Sequence, residues 1–268
     1  MIVAVLGGGK IGEAIARGLA RSDRVRGVYL TRRNPKKLVP AVKKIRVTRD
    51  NRKAAAAADV IVVSVKSTDA RQLLTEIADL APGKLVVSVM AAISLRRLEE
   101  NLPGARVVRA MPNVAASVGH AMTAYAPGSS ITEADRETVR HLLGTFGESR
   151  EVPEHLMDAI TALSGSGPAY IAILIDAMVS GALKVGIPRD IAFQLVTRTL
   201  TGTAELLREK GIHPAELRDL VTTPAGTTIA GIYELEKGAF RTSIMSAIEA
   251  ATQAAERVAA KFDDEESR

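Results

Sequence analysis

The chain has 268 residues, 47% hydrophobic and 25% charged, which fits a soluble globular protein long enough for two domains. With no cysteine it has no disulfide, thiolate metal site or thiol nucleophile, and an aromatic content of 3% without Trp argues against base-stacking platforms for nucleic acid. The net charge of +6 is uneven: residues 21–53 hold thirteen Lys or Arg against Asp23 and Asp50, +11 locally, leaving −5 for the remainder. A basic patch confined to one segment points to a local anionic ligand, with a solvated basic face as the plainer alternative.

Short Val/Ile-rich runs without alternation open the chain, as expected of strands buried on both faces of a mostly parallel sheet. They cover Ile2–Leu6, Gly27–Thr31, Lys44–Thr48, Asp59–Val65, Lys84–Val89 and Ala105–Met111. Helices are expected at Lys10–Arg21, Ala54–Ala58, Thr68–Leu80 and Leu95–Asn101, with a short turn after Pro35. A late strand pair, His120–Tyr125 and Thr145–Val152, flanks a helix over Glu133–Leu143. That rhythm predicts an α/β class with an N-terminal Rossmann-like doubly wound sheet over residues 1–152.

After Pro153 only helical patterns remain, so residues 153–268 are expected to form an all-α domain. A helix over Ala169–Val185 is apolar nearly all round and should be buried between domains or subunits. Further helices follow at Arg189–Lys210, Pro214–Val221, Pro224–Glu236 and Phe240 to about Phe262, before a charged tail, Asp263–Arg268, that frays. The first strand begins at Ile2 and no apolar run approaches a membrane span in length, so a cytoplasmic location without a membrane partner is expected. The four histidines, His120, His141, His155 and His213, lack ligand-like spacing, and no metal is expected.

Gly7-Gly8-Gly9-Lys10-Ile11-Gly12 follows the first strand and opens the first helix. Gly7, Gly9 and Gly12 occupy the G-x-G-x-x-G positions, which serve a tight turn, close approach to a pyrophosphate and helix–sheet packing. About 20 residues on, an acidic residue would bind a ribose 2′-hydroxyl. Thr31-Arg32-Arg33-Asn34 stands there instead, a hydroxyl and two guanidiniums suited to a phosphate dianion. NADPH is therefore the preferred cofactor, with NADH left open.

Late in the chain comes Asp219-Leu-Val-Thr-Thr-Pro-Ala-Gly-Thr-Thr-Ile-Ala-Gly231. Thr223-Pro224 reads as an N-cap followed by proline at the first helical position. Ala225, Gly226, Thr227 and Thr228 would then present unpaired N–H groups on a surface with little side-chain bulk, a receptor for a small carboxylate. A plain helix cap joined to a close helix crossing is the alternative.

Together these motifs resemble the pyrroline-5-carboxylate reductase family along nearly the whole chain. The resemblance runs through the glycine loop, Thr31–Asn34, Asn51, Val65-Lys66, Ser88-Val-Met-Ala-Ala-Ile-Ser94, Arg109-Ala-Met-Pro-Asn113, Leu163-Ser-Gly-Ser-Gly-Pro-Ala-Tyr170 and the late cap. It implies NAD(P)H-dependent reduction of the cyclic imine Δ1-pyrroline-5-carboxylate to L-proline, and a helical domain that interlocks with a partner's as a homodimer or higher homo-oligomer. It also implies cofactor contacts from Gly7, Gly9, Lys10, Ile11, Gly12, Thr31, Arg32, Arg33, Asn51, Val65, Lys66, Met90, Ala91, Ala92, Met111, Pro112 and Asn113. The substrate would lie on Thr223, Ala225, Gly226, Thr227 and Thr228, the Thr228 hydroxyl assisting at the ring nitrogen; a local bond to its own helix is the alternative role for that hydroxyl. The chain departs from the family at Ser67 and Ala115, where proline is usual, and at Ala92 and Ala225, where glycine is usual.

Three other readings remain, the nearest being reduction of a different cyclic imine of similar size, such as a piperideine carboxylate. The β-hydroxyacid dehydrogenases share the two-part plan but resemble one another in a lysine four residues past the glycine cluster, where this chain has Gly165-Ser-Gly167 followed by Pro168-Ala-Tyr-Ile171. A nucleotide-binding regulator that holds nucleic acid through its basic segment would need helix-turn-helix, aromatic or zinc patterns that are not seen, so no nucleic-acid partner is expected.

Overall fold

A computed structural model describes residues 1–34 and 42–265. The turn expected after Pro35 lies outside the described residues, as do Lys36 and Lys37 of the basic segment and the last three residues of the chain.

The first half runs β1 (Ile2–Leu6), α1 (Lys10–Arg21), β2 (Gly27–Thr31), β3 (Ile45–Thr48), α2 (Asn51–Ala56) and β4 (Val60–Val63). It continues with α3 (Ala70–Ile77), β5 (Leu85–Ser88), α4 (Leu95–Asn101), β6 (Arg106–Met111), β7 (Ala121–Pro127), α5 (Glu133–Gly144) and β8 (Gly147–Glu151). The strands form one eight-stranded sheet in the order β3-β2-β1-β4-β5-β6-β7-β8. All pairs are parallel except β6 with β7. The chain winds outward from β1 in both directions, which places a topological switch point between β1 and β4.

Alternate strand residues serve opposite faces. Ala4, Leu6, Ile61, Val63 and Val86 pack with Ala54 of α2, Leu74 of α3 and Leu98 of α4. Val3, Val5, Val60 and Val62 pack with Ile15 and Leu19 of α1 and Leu142 of α5. Both faces being covered explains why these strands read as continuous apolar runs. Local capping moves some boundaries. Asp50 accepts from Lys53 N at 2.8 Å, so α2 begins at Asn51 and ahead of the alanines expected to form it. The expected helix Thr68–Leu80 is α3 with a 3₁₀ turn at each end, Ser67–Asp69 and Ala78–Leu80.

After β8 the chain is helical: a 3₁₀ turn (Glu154–Leu156), α6 (Met157–Ile160), a π-turn (Thr161–Gly165), α7 (Gly167–Lys184) and α8 (Arg189–Lys210). Next come α9 (Pro214–Leu220), α10 (Thr227–Lys237) and α11 (Phe240–Glu265), which extends into the tail expected to fray. Gly211, at φ 62°, stops α8. One compact unit comprises residues Met1–Pro168 with the stretch from Glu249 onward, and the other comprises Ala169–Ile248. The first unit therefore reaches past the expected boundary at residue 152. Buried Arg109 in β6 holds Glu154 at 3.3 Å and Asp158 at 2.7 Å, while Glu154 also accepts from Leu95 N at 2.6 Å. These bonds keep the segment after Pro153 on the sheet domain.

The apolar helix is not covered by its own chain, and one expectation about its length needs correction. Within the single chain α7 is largely exposed: Val179 is its one buried residue, while Ile173 is 70% exposed. The helical run Glu154–Lys184, 31 residues, is also long and apolar enough by length and composition to cross a membrane, so the chain does hold such a run.

Asp135, in the first turn of α5, is a packed electrostatic joint. It forms a capping box with Thr132 and accepts from Arg106 Nε at 3.0 and 2.9 Å. Burial pushes its carboxyl upward, but hydrogen bonds from Thr132 and Arg106 outweigh this and the net shift is downward. A depressed folded-state value stabilises above the unfolded value of about 3.9, and that stability is lost as pH falls through the folded value. Asp135→Asn should cost about 1–3 kcal/mol at neutral pH. Thermal melts of the two proteins should differ at pH 7 and the gap should narrow as pH falls below the unfolded value of about 3.9; a constant gap would count against this role.

Candidate active site

The site begins where β1 turns into α1. Gly7 has φ 107°, and a Cβ there would sit 2.6 Å from the Ser64 backbone oxygen after β4. Glycine is required for both the dihedral and the approach. A Cβ on Gly12 would overlap the Gly7 carbonyl oxygen, so α1 packs down on the loop, whereas around Gly9 nothing lies within 4 Å. Gly9 is the N-cap of α1 and has no side chain to cover the first N–H groups, which leaves them open to an anion. Lys10 is exposed and Ile11 half-buried at the start of that helix. The loop is tied to β2 by Gly7 N–H donating to Thr31 Oγ1 at 3.1 Å and Gly8 N–H to Thr31 O at 2.6 Å. Thr31 is itself buried, so its hydroxyl serves the loop first.

A groove of about 650 Å³ extends from this loop along the carboxyl ends of the strands. Of the expected cofactor residues, Gly7, Gly9, Thr31, Arg32, Arg33, Asn51, Val65 and Lys66 line it. Arg32 pairs with Glu13 at 3.2 Å and Arg33 with Asp69 at 2.7 Å. Asn51 Nδ2 donates to Glu76 Oε2 at 2.9 Å, which orients its amide. Sequence reasoning missed Gly8, Asn34, Arg49, Ser64 and one face of the segment after β4, where Asp69, Gln72, Leu73 and Glu76 line the groove. Their i, i+3, i+4, i+7 spacing was a usable signal. The glycine-lined floor with open space above Gly9 and guanidiniums at one end fits a dinucleotide carrying a 2′-phosphate.

Met90, Ala91, Ala92, Met111, Pro112 and Asn113 do not line this groove. They stand farther along the same sheet edge, after β5 and at the end of β6. Met90 and Met111 are buried at 1% and 6% exposure and act as packing. Asn113 is fully engaged: its Oδ1 accepts from Ala115 N at 3.1 Å, and its Nδ2 donates to Ser164 O at 3.2 Å and Ser164 Oγ at 3.3 Å. Its amide thus fastens the Ser164–Gly167 turn to the strand edge.

In the second unit the late motif differs from its expected form. Helix α10 starts at Thr227 with Gly226 as N-cap, and Thr223 is no cap. Thr223-Pro224-Ala225-Gly226 is a turn closed by Gly226 N–H donating to Thr223 O at 3.0 Å. Proline at its second position and Ala225 at φ 57° give it type II character, which ends any helix begun at Pro224. Gly226 N–H is therefore spent, and the free donors are those of the first turn from Thr227 on. Gly226 has no room for a side chain, since a Cβ would overlap Thr223 Oγ1. Thr222 bonds back to Arg218 O at 2.7 Å, whereas the Thr228 hydroxyl has no partner among the described residues.

A doubly wound sheet with a guanidinium-lined dinucleotide groove, joined to a separate helical unit, defines a class of nicotinamide-nucleotide oxidoreductases. Residues 2–92 match the family model described as NADP oxidoreductase coenzyme F420-dependent, and residues 154–258 match that for pyrroline-5-carboxylate reductase dimerisation. The chain is 41% identical to a pyrroline-5-carboxylate reductase of Synechocystis over 81% of each chain, and 39% identical to that of Pisum sativum over 92% of each. The crystal structure of the Plasmodium falciparum pyrroline carboxylate reductase with NADP bound is similar at TM-score 0.90 and 27% identity, covering 97% of this chain and 98% of that one. The chain belongs to the pyrroline-5-carboxylate reductase family.

Ala92 and Ala225, two positions where the sequence departs from the family's glycine, have φ of 64° and 57°. A left-handed alanine costs about 1–2 kcal/mol, against roughly 0.4–1 kcal/mol gained by restricting the unfolded chain. Ala225→Gly should therefore raise the melting temperature by a few degrees, and a decrease would mean the turn's methyl makes contacts that outweigh its strain.

Proposed function

We propose that the protein reduces Δ1-pyrroline-5-carboxylate to L-proline with NADPH as hydride donor, the last step of proline biosynthesis, and works as a homodimer. The observation that carries this reading is the start of α10, where free backbone N–H groups stand beside a Thr228 hydroxyl with no partner among the described residues. Such a start receives a carboxylate without a cation, and Gly226 keeps side-chain bulk away from it. Thr228 Oγ1 accepts the hydrogen bond of the protonated ring nitrogen and so holds the imine in its electrophilic form. Bound NADPH supplies the hydride. Orientation provides much of the rate effect, because a protonated imine carbon accepts hydride readily.

The glycine loop, Arg32 and Arg33 bind the phosphates, and Asn51, oriented by Glu76, meets the adenosine ribose. Family membership supports the reaction, and the family model over residues 154–258 supports the dimer. So do the bare apolar side chains of the helical unit, among them Ile173 on α7, Phe193 on α8 and Tyr233 on α10. Burying such side chains against a second copy contributes roughly 1.5–3 kcal/mol each. In the dimer, the α10 start of one subunit serves the cofactor held by its partner.

NADPH consumption followed spectrophotometrically with pyrroline-5-carboxylate, beside an assay of 3-hydroxyacid oxidation, tests the reading. Turnover is expected in the first and not in the second. Thr228→Ala should lower kcat by about tenfold to a hundredfold, the scale of a hydrogen bond to a charged group, while NADPH affinity stays within twofold. Normal turnover in that variant would remove Thr228 from the mechanism.

A further inference from the structure

Three guanidiniums line the groove beyond the glycine loop, those of Arg32, Arg33 and Arg49, and they are not equivalent. Arg32 is 17% exposed and gives Nη1 to Glu13 Oε2, on a carboxylate that also holds Arg17 at 2.8 Å. Arg33 pairs with Asp69 at 2.7 Å. Each brings a carboxylate with it, so part of its attraction for an incoming anion is already spent. Arg49 is exposed and has no carboxylate partner among the described residues.

Arg49 is also well placed. In the β2–β3 ladder Thr31 is opposite Thr48, and Arg32 N–H donates to Thr48 O at 3.0 Å. Arg32 and Arg49 are thus the first residues beyond two paired strand ends. The backbone beneath Arg49 is held by Asp50 N–H donating to Thr48 Oγ1 at 3.1 Å and by Asp50 capping α2. Neighbouring Arg52 is turned away, forked onto Asp79 at 2.7 Å and outside the groove lining.

We propose that Arg49 is a specificity-determining residue that engages the 2′-phosphate of the dinucleotide and carries a share of the preference for NADPH over NADH. The assignment rests on the groove being the cofactor site. A free, planar guanidinium gives a phosphate dianion paired donors without first giving up a carboxylate. Because Arg49 is exposed, solvent screens the contact and the effect is about tenfold.

Titration calorimetry on the full chain, with adenosine 2′,5′-bisphosphate and 5′-ADP as probes, tests this without turnover. Arg49→Ala should weaken the bisphosphate about tenfold and 5′-ADP less than twofold. Arg52→Ala, which removes the same charge from the same segment, should leave both within twofold. Equal loss on both probes, no loss on the bisphosphate, or as large a loss in Arg52→Ala would overturn the assignment. If the wild-type protein does not prefer the bisphosphate over 5′-ADP, the cofactor reading of the groove falls with it. If that preference is present and Arg49→Ala keeps it, the Arg49 assignment alone fails.

Discussion

The structure depends on how closely the turn after β1 approaches the end of β4. Gly7 lies where any side chain would strike the Ser64 carbonyl, and Gly12 lies where any side chain would strike Gly7 itself. With both positions bare, α1 starts directly above the sheet and its first N–H groups face the strand ends. Thr31 completes the joint by accepting from Gly7 N–H and Gly8 N–H through its hydroxyl and carbonyl. A buried hydroxyl with that task explains why a threonine closes β2. One backbone constraint thus fixes the floor of the groove, the direction of the α1 dipole and the register in which Arg32 and Arg33 leave the sheet.

Charge in the groove is arranged on that floor. The local excess of basic residues does not spread evenly over the surface, because several are tied to carboxylates. Glu13 holds Arg17 and Arg32, Asp69 holds Arg33, and Asp79 holds Arg52. Exposed pairs of this kind stabilise little, about 0–1 kcal/mol, and their effect here is mainly geometric. They fix where each planar fork points before a ligand arrives, which lowers the ordering cost of binding. The groove then combines pre-aimed cations with Arg49 and Lys66, which have no carboxylate partner among the described residues.

Much of this was legible in the sequence because strands covered on both faces read as plain Val/Ile runs, and the glycine spacing has few other uses. β1, β2, α1, α4 and α8 fall where the patterns put them. Errors arose where tertiary or local contacts override the pattern. Contacts that periodicity cannot reveal also arise just past the change of composition at Pro153, where buried Arg109 of β6 binds Glu154, 45 residues later. Thr223-Pro224 has the chemistry of a helix start, but proline is equally suited to the second position of a turn. Ala225 accepting a left-handed conformation decided for the turn. Arg49 was visible as one of thirteen basic residues, and only strand pairing singles it out.

The start of α10 shows why such a site is faint in sequence. Reducing a protonated imine needs an electrophile held in place, and it needs no residue that cycles between acid and base. A backbone N–H array and one hydroxyl suffice for that, and neither requires a carboxylate, histidine or lysine that a motif search would notice. What the reading requires is small: residues that stay out of the way, a turn that consumes Gly226 N–H while leaving the next donors free, and a threonine without an internal partner. Thr197 and Thr201 of α8 bond back to carbonyls of their own helix, one way in which a helical threonine satisfies its hydroxyl. At the first turn of a helix that bond is harder to make, because the carbonyls three and four residues earlier belong to the preceding turn and not to the helix. Thr228 is left with a free hydroxyl by its position alone, and the same position puts it beside the unpaired N–H groups.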